Sequence, residues 1–279
     1  ADSETYKELL NIGASPVQAK GFVESTPLYW GDQPFVAAPA YIGAGVLVLF
    51  ILALYLIRSR FKIWIVAGSI LALLLSWGDN FSILTKLFID YVPLYDKFRA
   101  VTSIQVLIEL CVPLMAFVGL TYFLSDRISK DQKLKALKMT GIISGSLLIA
   151  LMLFKNALFS FSGGSDSYFM QQFGANFVRA LKEDRKDMFM ADAWRSLVIV
   201  ILILGILWLW LQQKLKQQWA ILAVGVICVL DLALVDKRYV NADDFVSKVQ
   251  MKKPFQLNPA DKEILKDNSH YRVLDLAGS

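Results

Sequence analysis

The chain has 279 residues, 56% of them hydrophobic and 19% charged, with a mean hydropathy of +0.49. That apolar excess is beyond what a soluble domain of this length needs to fill a core, and its gathering into blocks excludes the alternating pattern of a closed β-barrel. Net charge is +5 with a pI of about 9.0, but the excess lies in short loops between apolar blocks. It therefore reads as a topology signal and no nucleic-acid partner is expected.

Residues 1–38 read as an external segment. "ADSETYKELLNIGASPVQAK" has neither a basic n-region nor a short apolar h-region, so it does not read as a signal peptide. A short helix is expected at 3–11, then a loop broken by Pro16, Pro27 and Pro34. "LYWGDQPF" follows at 28–35. Tyr29 and Trp30 fit an aromatic belt, and Asp32 fits the cap of a turn that Gly31 permits. Rings beside Asp32 and Gln33 also fit a sugar-handling surface.

The expected fold class is an all-α polytopic membrane protein. Its domain at 39–236 contains about six spans, at 39–57, 63–77, 103–124, 139–160, 195–212 and 218–236, since about 20 apolar residues cross the hydrocarbon layer as a helix. The connections at 58–62, 125–138 and 213–217 are basic and the others less so, which assigns the basic three to the cytoplasm and both chain ends to the outside. Trp30, Trp77 and Trp194 then fall at outer ends of spans, and Trp64, Trp208, Trp210 and Trp219 at inner ends.

The connection 78–102 reads as a re-entrant-like external loop, with Phe81 to Val92 helical before Pro93. After it, "PLYDKFRA" gathers Tyr95, Asp96, Lys97, Phe98 and Arg99. An arginine fork and a lysine point charge among rings serve either as an interfacial anchor or as a phosphate contact. Three ionisable residues lie within spans: Glu109, Lys155 and Asp231. Each sits roughly 8–9 Å from the outer end of its helix at 1.5 Å per residue. They suggest an outer-leaflet polar pocket; snorkelling of Lys155 to pair with one carboxylate is the structural alternative. Cys111 and Cys228 also fall within spans and read as apolar fillers.

Residues 174–190 read as an amphipathic helix along the outer surface, with Phe177, Leu181 and Met188 on one face against Arg179, Lys182, Arg185 and Lys186. Residues 237–279 read as the start of an external soluble domain, closing on a strand-like "HYRVLDLAGS", so that the chain reads as a fragment of a longer protein. His270 is given no role, no metal site or cofactor is identified, and there is no phosphate loop, dinucleotide fingerprint or nucleophile elbow. Unequal loop lengths weigh against an inverted-repeat transporter.

"LYWGDQPF", "LLLSWGDNF", "DYVPLYDKFRAVTS" and "DMFMADAWRSL" resemble segments of the YfhO-like family of bacterial membrane proteins, in the form found in Bacteroidetes. The resemblance runs from about Gly13 to Leu276. It implies a longer parent with about twice as many spans and a GT-C-like glycosyltransferase architecture in the bacterial inner membrane, with both ends of this chain on the periplasmic side. Such an enzyme moves a sugar from a polyprenyl-phosphate donor to an envelope glycan or lipid acceptor on the outer face. Its catalytic carboxylate, and any divalent metal, would belong to a loop upstream of Ala1. By the same resemblance Lys97 and Arg99 contact the carrier phosphate, and Tyr29, Trp30, Asp32 and Gln33 contact sugar or acceptor. The alternatives are a non-catalytic scaffold for an external domain and an envelope-lipid transporter or flippase.

Overall fold

The computed structural model describes residues 3–25, 28–31, 40–97, 100–242, 245–252, 257, 259–267 and 269. Among the described residues every regular element is a helix, and the only β pairing is an isolated parallel bridge between Gly31 and Gly163. Two compact units divide at Asp236.

The first unit opens with α1 (Glu4–Asn11) and α2 (Pro16–Ser25). Ser3 caps α1 by accepting from the Tyr6 N–H at 3.2 Å. The expected loop over 16–25 is a helix instead. Pro16 occupies its first position, where the missing N–H costs nothing, and Ser15 and Gln18 exchange the two bonds of a capping box. Proline here starts a helix.

Helices α3 (Ala44–Leu56), α4 (Arg60–Ser76), α5 (Ser82–Tyr91), α6 (Val106–Leu124) and α7 (Lys130–Leu153) follow. After the four-residue α8 (Lys155–Leu158) come α9 (Asp166–Leu211) and α10 (Gln217–Asp236). Four helices are long and apolar enough to cross a membrane: α6 extended back to Thr102, α7, α9 and α10. A fifth exists if α4 and the segment Gly78–Tyr91, bent from it by 116°, count as one broken span. Four to five such helices thus stand where six spans are expected. The shortfall lies at both early spans: α3 has 13 residues, about 20 Å of rise against a hydrocarbon core of about 30 Å.

Three further boundaries differ from the sequence reading. The charge run 125–138 reads as a loop, yet α7 begins within it, because Ser129 and Gln132 form a capping box. The same helix ends at Leu153, so Lys155 lies beyond it, at the start of α8. The separate helices expected at 174–190 and 195–212 are one. Gly174 breaks the helical path with φ 84°, and from residue 175 the helix continues to Leu211, about 55 Å at 1.5 Å per residue. "KDMFMADAWRSL" contains no proline or glycine to interrupt it.

The long helix serves two cores. Its first part packs Phe169, Phe177, Val178 and Leu181 against Leu9 and Ala19, with the Phe22 ring edge-on to Phe173 and Phe177 at 5.4 and 5.8 Å. The amphipathic face expected to lie on the membrane surface is therefore covered by α1 and α2. Asp184 secures this contact, accepting from Ser3 Oγ at 2.6 Å and from the N–H groups of Glu4 and Thr5 at 2.7 and 2.9 Å. The last part of α9 places Ile199, Ile203 and Leu207 in the bundle core with Val48, Leu52, Phe123 and Val224.

The second unit, residues 237–279, contains α11 (Lys248–Lys252) and α12 (Pro259–Ile264). The expected closing strand and His270 lie outside the described residues.

In the bundle α3 and α6 touch through small residues. A Cβ on Gly119 would come within 2.3 Å of Ala53 Cβ and 2.8 Å of its Cα, the close backbone approach that small residues allow between membrane helices. Gly119→Ala is expected to lower thermal stability in detergent by about 1–3 kcal/mol through overpacking; a melting curve coincident with wild type would show that the two helices stand further apart.

Candidate functional site

The connections after α3, α6 and α9 meet at one end of the bundle. One cavity there is lined by Arg58, Arg127 and Lys135, and a second by Ile128, Lys130 and Lys214. The three basic loops thus share one end, and the opposite end is formed by the start of α3, the end of α10 and the middle of α9.

At this opposite end Asp231 of α10 is only 2% exposed. A buried carboxylate must find donors or a counter-charge, and here it has two donors and one cation. Tyr41 Oη donates to Asp231 Oδ1 at 2.8 Å, and the Gly45 N–H donates to Oδ2 at 3.3 Å. Because Gly45 belongs to the first turn of α3, the carboxylate also faces that helix's positive end. Arg195 of α9 places Nη2 4.0 Å from Oδ1, donates to Tyr41 Oη at 3.2 Å, and lies 5.5 Å from the centre of the Tyr41 ring. Tyr41 Oη also accepts from the Ala44 N–H at 3.2 Å.

Asp231 and Tyr41 are well partnered, whereas Arg195 is not fully so. Its Nε and Nη1 are shielded from solvent and find no hydrogen-bond partner among the described residues. Beside Tyr41 runs an apolar groove of about 260 Å³ between α3, α7 and α9, with Leu47, Ile51, Leu147 and Leu148 along its walls and Ser144 and Ser196 as its polar points. Ser144 Oγ is buried and has no partner among the described residues. The trough ends at Tyr41, behind which lies Arg195, whose Nη2 is also 3.8 Å from Asp192 Oδ1; an apolar trough with a buried cation behind its end suits an amphiphile with an anionic head.

The expected site residues are distributed as follows. Tyr29 is exposed, and Trp30 packs against Phe161 and Phe189 with ring centres 5.2 and 6.4 Å apart. The Gly31 N–H donates to the Ser162 carbonyl at 2.9 Å. Asp32, Gln33 and Arg99 lie outside the described residues. Lys97 is exposed and pairs with its neighbour Asp96 in a short 3₁₀ turn. Glu109 is exposed near the start of α6, and Lys155 is half-buried. No ion pair joins Glu109, Lys155 and Asp231 to one another among the described residues; the partners of Asp231 are Tyr41, the Gly45 N–H and Arg195.

A second buried pair supports the segment on which Trp30 rests. Arg185, 1% exposed, donates to Asp166 and to the Phe161 carbonyl at 2.9 Å, and Asp166 accepts from the Gly163 N–H at 2.9 Å. Sequence reasoning places Arg185 on the polar face of an amphipathic helix and passes over Arg195 and Tyr41. The available signal for Arg195 is its position directly after Trp194, at the threshold of an apolar run.

No group of three or more His, Cys, Asp or Glu among the described residues could hold a metal ion. Comparison with protein-family models, with curated proteins and with solved structures found no match.

Asp231→Leu leaves the Tyr41 hydroxyl and the Gly45 N–H without their acceptor and Arg195 without its ion-pair partner, and is expected to cost about 3–5 kcal/mol of stability, against about 0.5–1.5 kcal/mol for Tyr41→Phe. Thermal unfolding in detergent checks the order; equal effects of the two substitutions would mean that Asp231 does not organise this end.

Proposed function

We propose that the chain is a membrane module that holds a lipid-linked phosphate at the Asp231 end of its bundle, as part of a glycosyltransferase that moves a sugar from polyprenyl phosphate to an envelope acceptor. The observation that carries this reading is the apolar groove of α3, α7 and α9 that ends at Tyr41, whose hydroxyl accepts from Arg195, a guanidinium with Nε and Nη1 unpartnered among the described residues. The groove would take the first isoprene units and Arg195 the phosphate. Planar, permanently charged and forked, a guanidinium matches phosphate oxygens better than a lysine does.

In this reading six segments cross the bacterial inner membrane: α3 with the residues before it, α4, α6, α7, the second part of α9, and α10. The basic end faces the cytoplasm and the Asp231 end faces outwards, which the charge asymmetry of the connecting loops supports. Membership of the YfhO-like family and the GT-C-like architecture remain proposals resting on the segments quoted above. Lys97 and Arg99 are then the second set of carrier-phosphate contacts, and Tyr29, Trp30, Asp32 and Gln33 the sugar or acceptor contacts. The catalytic carboxylate, and any metal, are assigned to the longer parent.

A scaffold reading has one observation in its favour. Asp231 finds all its donors within the chain itself, so this residue has a structural task whether or not a lipid binds.

A photoreactive polyprenyl phosphate, carrying a diazirine in its first isoprene units, separates these readings. Crosslinks are expected on α3 and α7 around Leu47, Ile51 and Leu148, and Arg195→Gln is expected to reduce them about tenfold, as loss of one charged hydrogen-bonding contact does. Crosslinks scattered evenly over the bundle, or unchanged in Arg195→Gln, would leave the scaffold reading standing. Transfer of radiolabelled sugar by membranes containing the longer parent then tests the reaction itself.

A further inference from the structure

We infer that the basic end of the bundle contains a binding site for the phosphodiester headgroup of an anionic phospholipid, held by Arg58, Arg127 and Lys135. This site is separate from the proposed carrier site and does not depend on it.

The cavity has a volume of about 390 Å³, within the roughly 300–1,000 Å³ usual for small-ligand clefts. It is built where three helix ends converge: the C-terminal ends of α3 and α6 and the first turns of α7. Arg58 follows α3, Arg127 lies in the link between α6 and α7, and Lys135 is on α7. Tyr55, Tyr122 and Gln132 supply hydroxyl and amide donors, while Leu56 and Ile128 supply apolar wall. No carboxylate lines the cavity.

The state of the three cations is the argument. Some surface lysines pair with a neighbouring carboxylate, as Lys186 does with Glu183 at 2.8 Å, and others stand singly; Arg58, Arg127 and Lys135 are three cations gathered around one concavity that no carboxylate lines. Lys133, close by on α7, is buried, donates to the Ser125 carbonyl at 2.8 Å and lies over the Trp210 ring at 4.7 Å. The side chains of Arg58, Arg127 and Lys135 instead make no hydrogen bond or ion pair among the described residues. Three unneutralised cations around one concavity repel one another, and an anion placed among them relieves that cost. At the end of a membrane bundle, the anion at hand is a lipid headgroup, and basic pockets between membrane helices hold such headgroups. The neighbouring cavity with Lys130, Lys133, Lys214 and Lys216 includes Asp126, so part of its charge is already answered.

The test is a titration of the purified chain in non-ionic detergent with phosphatidylglycerol and with phosphatidylcholine of equal chain length, read by native mass spectrometry. Phosphatidylglycerol is expected to bind at least tenfold more tightly. Each cation removed should weaken it on the order of fivefold, so Arg58→Ala/Arg127→Ala/Lys135→Ala should abolish the preference. Gln132→Glu keeps the capping box with Ser129, since glutamate serves there as well as glutamine. It therefore folds as the parent does, and should weaken phosphatidylglycerol while leaving phosphatidylcholine unchanged.

Lys214→Ala/Lys216→Ala removes two cations from the neighbouring cavity and should keep most of the preference, whereas Arg58→Ala/Arg127→Ala, which also removes two, should lose most of it. Equal binding of the two lipids, or no effect of Gln132→Glu, would overturn the proposal. So would an equal loss in the Lys214/Lys216 variant, which would show a diffuse field instead of a site. Displacement of the lipid by millimolar inorganic phosphate would move the ligand to free phosphate and overturn the lipid assignment.

Discussion

A charge that faces hydrocarbon must be paired, moved to an end, or absent, and this constraint organises the bundle. Asp231 is the clearest case. It lies buried on α10, and three elements bend to it: the first turn of α3, Tyr41 before that turn, and Arg195 on α9. The helix that is too short to cross a membrane alone is thereby fixed at its start by a carboxylate from another helix. At the other end the solution differs. There the cations stand at the rim, and the buried Lys133 donates to a carbonyl and lies over an indole face, with Asp126 in the same cavity.

The two ends are joined by α9. From residue 175 to Leu211 it runs without a break, carrying the core under α1 and α2 at one end and the bundle core at the other. Asp184 and Arg185 are adjacent on this helix and point to different tasks. Asp184 caps α1, and Arg185 holds the segment at Phe161–Asp166 on which Gly31 and Trp30 rest. Trp30 and Gly31 therefore sit against the segment 161–163 and Phe189 through backbone pairing and ring packing, and Trp30 has a packing role whether or not it also touches a sugar.

The class of fold was legible because apolar blocks and basic punctuation are coarse signals that survive errors of several residues. Boundaries were less so. Pro16 reads as a breaker unless "SPVQ" is seen as a capping box, and "SKDQ" hides the start of α7 in the same way. The continuity of α9 was missed because a polarity change at Ala191–Arg195 looks like a boundary, although helix propensity does not fall there. Of the candidate site, Asp231 was visible as a carboxylate in an apolar run. Its partners were not, since nothing local ties residue 41 or 195 to residue 231; only the packing of three helices does so. Glu109 and Lys155 stood out by the same logic, but one lies near a helix start and the other past a helix end, where a charge needs no partner.

The account rests on the two ends of the bundle facing opposite sides of a membrane, and sidedness measures this directly. In a background with Cys111→Ala and Cys228→Ala, Asn11→Cys and Lys214→Cys each place one thiol at an exposed position. Intact cells treated with a membrane-impermeant maleimide should label the first, and the second only after permeabilisation. Labelling of both in intact cells, or the reverse pattern, would contradict it.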